Sequence, residues 1–162
     1  MKQLLICRHS KAESPDKPKR DHDRELTSSG KRDARAIGKE MAERGLIPTA
    51  ILASDSTRTR QTTALISEAF PAKPDITFLP ELYSASASEI MNIVASCAAD
   101  ARSILVVGHN PGVEEIVRRL AGREIRLKTS AVAVFETDGA RRPNDAPLEG
   151  LLLRDVFGPP AP

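Results

Sequence analysis

The sequence predicts a single α/β domain built on a mostly parallel sheet, and three observations carry that prediction. Short apolar runs at residues 4–7, 50–53 and 103–107 have the look of strands buried on both faces of a parallel sheet. Between them lie stretches whose apolar residues recur at three- and four-residue spacing, and regular alternation of the two patterns defines the α/β class. The 162 residues contain no internal repeat and no linker long enough to divide them, a length that suits one domain with a substantial core. The domain is placed at residues 1–157, with 158–162 (GPPAP) expected to fray.

Residues 4–7 form the first strand, which stops at Arg8, His9 and Ser10. The polar, proline-punctuated segment 14–23 reads as a loop. Thr27 or Ser28 caps the first helix, Ala34, Ile37, Met41 and Ala42 share its apolar face, and Gly45 ends it ahead of Pro48. After the second strand, Ser54 or Asp55 is expected to cap a helix continuing through Phe70, where Pro71 and Pro74 break it. Residues 76–79 read as an edge-like strand stopped by Pro80, and residues 88–98 as a helix. The run 103–107 is the clearest strand, closed by Gly108-His109-Asn110-Pro111-Gly112. The helix that follows turns Val113, Ile116, Val117 and Leu120 to one side and stops at Gly122. Residues 130–136 and 148–153 predict two antiparallel strands around the turn-rich segment 138–147.

Composition narrows the function classes. With one Tyr, four Phe and no Trp, the core must be aliphatic, and stacking platforms for single-stranded nucleic acid are not expected. The net charge of +2 comes from 24 basic and 22 acidic residues, which argues against a general polyanion binder. No apolar run approaches the ~18 residues of a membrane span, and residues 1–3 lead directly into a strand without a signal-peptide pattern. A cytoplasmic protein with no membrane partner is the expectation. Cys7 and Cys97 form no CxxC pair and read as small buried apolar residues, not as zinc ligands or a disulfide.

The chemistry gathers at strand ends. In open α/β sheets the carboxyl ends of the strands line the ligand crevice. Arg8 and His9 end the first strand, the second runs toward Arg58, His109 ends the fourth, and Arg24 approaches from the loop after the first. Taken singly, each has a plainer reading: His109 as a turn residue, Arg58 as an exposed helical arginine, Arg24 as one charge among many. The segment VVGHNPG lacks the GxGxxG spacing of a dinucleotide loop. If the strands are neighbours, however, these side chains converge on one strongly positive pocket. Guanidinium forks match phosphoryl oxygens, and an imidazole with a free nitrogen can attack phosphorus to form a phosphohistidine. The arginines would also favour neutral His9 by like-charge repulsion, and His109 would donate a hydrogen bond to a phosphoryl oxygen. Enough fixed cations make a metal unnecessary for phosphoryl transfer, so no metal and no cofactor are expected.

Together these pieces resemble the histidine phosphatase superfamily, which includes the phosphoglycerate mutases. The resemblance rests on Arg8-His9 after an N-terminal strand, on Ser54-x-x-x-Arg58-x-x-Gln61-Thr62, and on Gly108-His109 after a late strand. Within the superfamily the chain is most similar to the small SixA-type phosphohistidine phosphatases, in its size, in Arg24-Glu25-Leu26-Thr27 leading to Gly30, and in Leu79-Pro80-Glu81-Leu82. The resemblance implies a phosphoglycerate mutase-like three-layer α/β/α sandwich. It implies that His9 is the nucleophile and that Arg8, Arg24, Arg58 and His109 form the phosphate pocket. Two positions depart from the family: Ser10 stands where glycine is usual, and Glu25 where proline is frequent. The Ser10 hydroxymethyl would either narrow the pocket or contribute a hydrogen bond.

Substrate sets the demand for an acid. Superfamily members that cleave esters use a carboxyl group to protonate the departing oxygen, and Glu81 matches by its place in the chain. A phosphohistidine instead releases imidazole, the same chemistry as the attacking His9, so the first transfer is nearly symmetric and needs no strong acid. The expected function is therefore a metal-independent phosphatase acting on a protein phosphohistidine, with small phosphate esters or sugar phosphates and Glu81 as acid the alternative. A phosphate-binding module without turnover is the reading from outside enzymology. The expected partner is a phosphorylated protein, with nucleic acid excluded, and the short stretches between motifs leave few residues for a lid.

Overall fold

The computed structural model describes residues 1–16, 18–98, 101–137 and 148–160. Six strands are β1 (Gln3–Arg8), β2 (Ala50–Ser54), β3 (Asp75–Leu79), β4 (Ser103–Gly108), β5 (Val132–Thr137) and β6 (Leu151–Phe157). Four helices are α1 (Ser28–Glu43), α2 (Thr57–Ser67), α3 (Ala87–Cys97) and α4 (Gly112–Ala121). The strands form one sheet in the order β3-β2-β4-β1-β5-β6. The four from β3 to β1 are parallel neighbours, while β5 and β6 run antiparallel.

Period-two alternation along buried strands builds two cores, one on each face. Leu4, Ile6, Ile104 and Val106 face α3 and α4 through Ile90, Val94, Val113 and Ile116. Leu5, Cys7, Leu105 and Val107 face α1 and α2 through Ile37, Met41 and Ile66. The result is the three-layer α/β/α arrangement that the resemblance implies. Two close approaches fix the layer of α1 and α2. A Cβ on Gly38 would lie 2.4 Å from the Ile66 carbonyl oxygen, and one on Gly30 would lie 2.0 Å from that of Lys11, so only glycine admits these contacts.

Sequence and structure part at element ends. The second helix begins at Thr57, not at a cap on Ser54 or Asp55, because Ser54 still belongs to β2, paired with Leu79. It ends at Ser67, short of Phe70. The β5 strand starts at Val132 because Ser130 takes a left-handed backbone, φ 64°. The last strand lies at Leu151–Phe157, not at residues 148–153. Its register is set by pairing Val132 with Phe157, and its apolar pattern is a poor guide because Leu152 is 48% exposed at the sheet edge. The turn at 138–147 and the last two residues of the tail lie outside the described residues. Helix α3 carries a capping box that the sequence reading passed over, Ser86 with Glu89. Both cysteines are free, Cys7 buried and Cys97 only half-buried. Burial pushes the Cys7 thiol up to about 12, which leaves it unreactive. Among the described residues, no helix is long and apolar enough to cross a membrane.

Candidate active site

Because β4 lies between β1 and β2, three carboxyl ends stand side by side. Arg8 is level with Gly108, so His9 and His109 leave adjacent strands together, with ring centroids 5.1 Å apart. The His9 amide donates to the Gly108 carbonyl at 3.0 Å, which locks that level.

His9 Nδ1 is 2.8 Å from the carbonyl oxygen of Ser10. A carbonyl only accepts, so Nδ1 carries the hydrogen and Nε2 keeps its lone pair. Burial is the main influence lowering the His9 pKa to about 4; the Ser10 bond opposes it, and Arg58, Arg8 and Arg24 add repulsion. Like-charge repulsion was the reason foreseen from sequence, yet loss of solvent outweighs it. The other histidine is oriented by Ser54, whose hydroxyl lies 2.9 Å from His109 Nε2 and accepts from the Ser56 amide at 3.3 Å. The arrangement that uses the single Ser54 hydroxyl hydrogen donates it to Nε2, which leaves the imidazole hydrogen on Nδ1. Burial, followed by His9 and Arg58, lowers His109 to about 3.

These two shifts have a sign. Each histidine binds a proton less readily folded than unfolded, so the unfolded chain takes up more protons between the ordinary histidine value near 6.5 and the folded values. Stability is therefore expected to fall as pH drops from about 6.5 toward about 4. Denaturant titrations across that range should show a shallower decline in His109→Gln; an identical slope would contradict the burial of a neutral imidazole.

Three arginines surround the pair. Arg8 Nη1 donates to the Leu127 carbonyl at 3.1 Å. Arg58, in the first turn of α2, is 5% exposed, and that turn holds no acidic residue, so the positive end of the helix dipole adds to the guanidinium. Arg24 comes from the loop, its Nε donating to the Glu13 carbonyl at 2.8 Å. The Glu25 departure costs the loop nothing visible, since its amide, which proline would lack, donates to Glu13 Oε2 at 3.3 Å. Among the described residues, Arg8 Nε, Arg58 Nε and His109 Nδ1 are buried without a hydrogen-bond partner, a condition that costs about 1–3 kcal/mol per group unless something answers it.

The site also contains residues the sequence reading did not select. Asp21, in a 3-10 turn over Asp21–Asp23, accepts from Arg24 Nη1 at 2.6 Å, Arg58 Nη2 at 2.9 Å and the Tyr83 hydroxyl at 2.6 Å. Those donors, Tyr83 first, hold its carboxyl far below the usual carboxylate range. Tyr83 stands edge-on to His109 and to His22, at 5.5 and 5.0 Å between centroids. His22 Nε2 meets Asp55 Oδ1 at 2.9 Å, which fastens the loop to the start of α2. Asp21 was hidden by its setting in a run of charges, whereas Tyr83, the only tyrosine, offered a signal.

Behind His9 the wall is a hydroxyl network. Ser10 is fully buried; its amide donates to Thr62 Oγ1 at 3.1 Å, and its hydroxyl oxygen accepts from Ser130 at 2.7 Å. Thr62 in turn donates to the Arg58 carbonyl at 2.7 Å, and Gln61 Oε1 accepts from the Leu26 amide at 2.7 Å. Of the two roles open to Ser10, the structure shows the hydrogen bond. Glu81, on the turn Pro80–Leu82, is exposed, and none of the bonds that tie this site together involves its carboxylate.

Two histidines and three arginines meet over the carboxyl ends of parallel strands, so this α/β protein carries an imidazole-bearing site of concentrated positive charge. The model of the histidine phosphatase superfamily (branch 1) matches residues 4–84, and the chain belongs to that superfamily. Among solved structures, it is similar to a proposed phosphohistidine phosphatase SixA of Agrobacterium tumefaciens, with a TM-score of 0.84, 28% identity and 98% of each chain covered. A proposed SixA of Nakamurella multipartitia gives a TM-score of 0.80 at 31% identity, over 99% of this chain and 97% of that one. An uncharacterized chloroplastic protein of Arabidopsis thaliana is 31% identical over 95% of this chain and 78% of its own length.

Proposed function

We propose that this chain is a phosphatase that removes phosphate from a protein phosphohistidine through a covalent phospho-His9 intermediate, without a metal. One observation carries the reading: the Nδ1–H of His9 is tied to the Ser10 carbonyl, which leaves Nε2 as an unprotonated nucleophile among Arg8, Arg24 and Arg58. In the first step Nε2 attacks phosphorus in line with the leaving nitrogen; the substrate ring, protonated on its other nitrogen, departs as neutral imidazole with the electrons of the broken P–N bond, while His9, keeping its Nδ1 hydrogen, becomes the phosphorylated imidazolium. The guanidinium groups and the His109 Nδ1–H receive the charge on the phosphoryl oxygens. Water then attacks phosphorus, inorganic phosphate leaves, and His9 returns with its lone pair. The chain acts in the cytoplasm on a phosphoprotein, and neither nucleic acid nor membrane takes part.

A near-symmetric exchange between imidazoles asks for no strong acid, and this agrees with an exposed Glu81 carboxylate that takes no part in the bonds that tie the site together. Glu81→Gln should change phosphohistidine turnover by less than about tenfold, below the 10²–10⁴ that a general acid contributes. A loss in that larger range, together with preference for ester substrates, would move the assignment to a small-ester phosphatase. The decisive experiment is incubation with 32P-labelled phosphohistidine protein, with and without chelator, followed by quenching. Acid-labile, alkali-stable label on His9 and undiminished turnover in chelator are expected. Label elsewhere, or activity lost with the metal, overturns the mechanism.

A further inference from the structure

Four cations line a groove of about 880 Å³ beside the site: Lys11, Arg32, Arg126 and Lys128. All four are exposed, and among the described residues none is ion-paired. Among the described residues, Asp33 is the one carboxylate in the groove wall. The first turn of α1, which contributes Ser29, contains no acidic residue, so the helix dipole adds to the positive field. The floor is apolar, with Ala36, Val156, Phe157 and Pro159. The groove is tied to the site through the chain. Lys11 follows Ser10 and Thr129 precedes Ser130, the two hydroxyls bonded to each other behind His9, and the Leu127 carbonyl before Lys128 accepts from Arg8.

We propose that this groove is the docking surface for an acidic, amphipathic segment of the phosphoprotein substrate. The inference rests on the reading of the site as a protein phosphohistidine phosphatase. Unneutralised cations around an apolar floor select carboxylates flanking apolar side chains. Phe157 is the one aromatic in the lining, which offers no run of stacking faces for a single-stranded nucleic acid. Lys11 lies two residues after His9 and Lys128 one after the carbonyl that Arg8 grips, so the occupant is assigned to the molecule whose phosphohistidine enters the pocket.

The test uses the full chain carrying His9→Ala, so that binding is read without turnover. A fluorescein-labelled amphipathic peptide of Glu and Leu should bind with an affinity that weakens steeply with salt. Arg32→Glu/Arg126→Glu/Lys128→Glu should weaken it at least about tenfold, and the milder Arg126→Gln/Lys128→Gln should fall between. With His9 restored, the triple variant should keep the wild-type rate on free phosphohistidine, which also shows that it folds. Affinity unchanged by charge reversal, equal affinity for a Lys and Leu peptide, or displacement by single-stranded RNA at lower concentration would each overturn the proposal. Peptide binding that fails while phospho-His9 forms removes the groove alone. Absence of phospho-His9 in the wild-type chain removes the reading of the site, and the peptide titration still decides whether the groove takes acidic segments.

Discussion

Replacing His9 with alanine is expected to lower turnover by at least about 10⁴-fold and to abolish the covalent phospho-enzyme. The size of the effect follows from how much the fold invests in one nitrogen. Backbone pairing with Gly108 sets the level of His9, the Ser10 carbonyl sets its tautomer, and burial keeps it neutral down to about pH 4. Alanine removes the attacking atom and leaves the surrounding cations in place. The same variant should therefore still bind phosphate or vanadate, since Arg8, Arg24 and Arg58 are unchanged. Single-turnover kinetics and an anion titration on one preparation check both halves. Residual turnover near the wild-type rate would mean that phosphoryl transfer goes directly to water.

The second large effect is expected at Arg58. Arg58→Ala should lower kcat/KM by about 10²–10³-fold, the range for removal of a preorganised charge stabiliser. Two consequences of the geometry set it apart from an ordinary loss of binding. Arg58 donates to both the backbone carbonyl and the carboxylate of Asp21, so its removal also loosens the loop that presents Arg24. Of the three arginines it also repels a proton on His9 most strongly, so the acid limb of the pH–rate profile should move to higher pH in the variant. Arg58→Lys restores the charge without the planar fork and should recover the pH profile more fully than the rate. A variant with lowered rate and an unmoved acid limb would assign Arg58 to structure alone.

Much of this was legible in the sequence for an identifiable physical reason. Strands β1, β2 and β4 are buried on both faces, so their apolar runs are unbroken, and each ends where the chain needs polar side chains. His9 and His109 could be placed at strand ends, and Arg58 just past the end of β2, from the residues alone. The Ser54-to-Thr62 motif was visible as a spacing, yet the division of labour within it was not: Ser54 orients His109, Arg58 supplies charge, and Thr62 braces Ser10. Asp21 was illegible because loop geometry carries no periodicity, and a carboxylate in PDKPKRDHD resembles its neighbours. Strand β6 was misplaced by the same logic in reverse, since an edge strand with exposed Leu152 gives no clean alternation to read.

The attachment of the Asp21–Asp23 turn has a thermal consequence. The turn has no buried residue and is held by polar bonds to Arg24, Arg58, Tyr83 and Asp55, whereas His9 and His109 hang from the most deeply packed strands. Segments fastened by exposed hydrogen bonds open at lower free energy than the core beneath them. Heating should thus extinguish catalysis several degrees before the far-ultraviolet circular dichroism changes, and amides of the turn should exchange with deuterium ahead of those in β1 and β4. The molecule then contains two melting units: a durable frame that holds the nucleophile, and a lighter clasp that aligns the arginines for it.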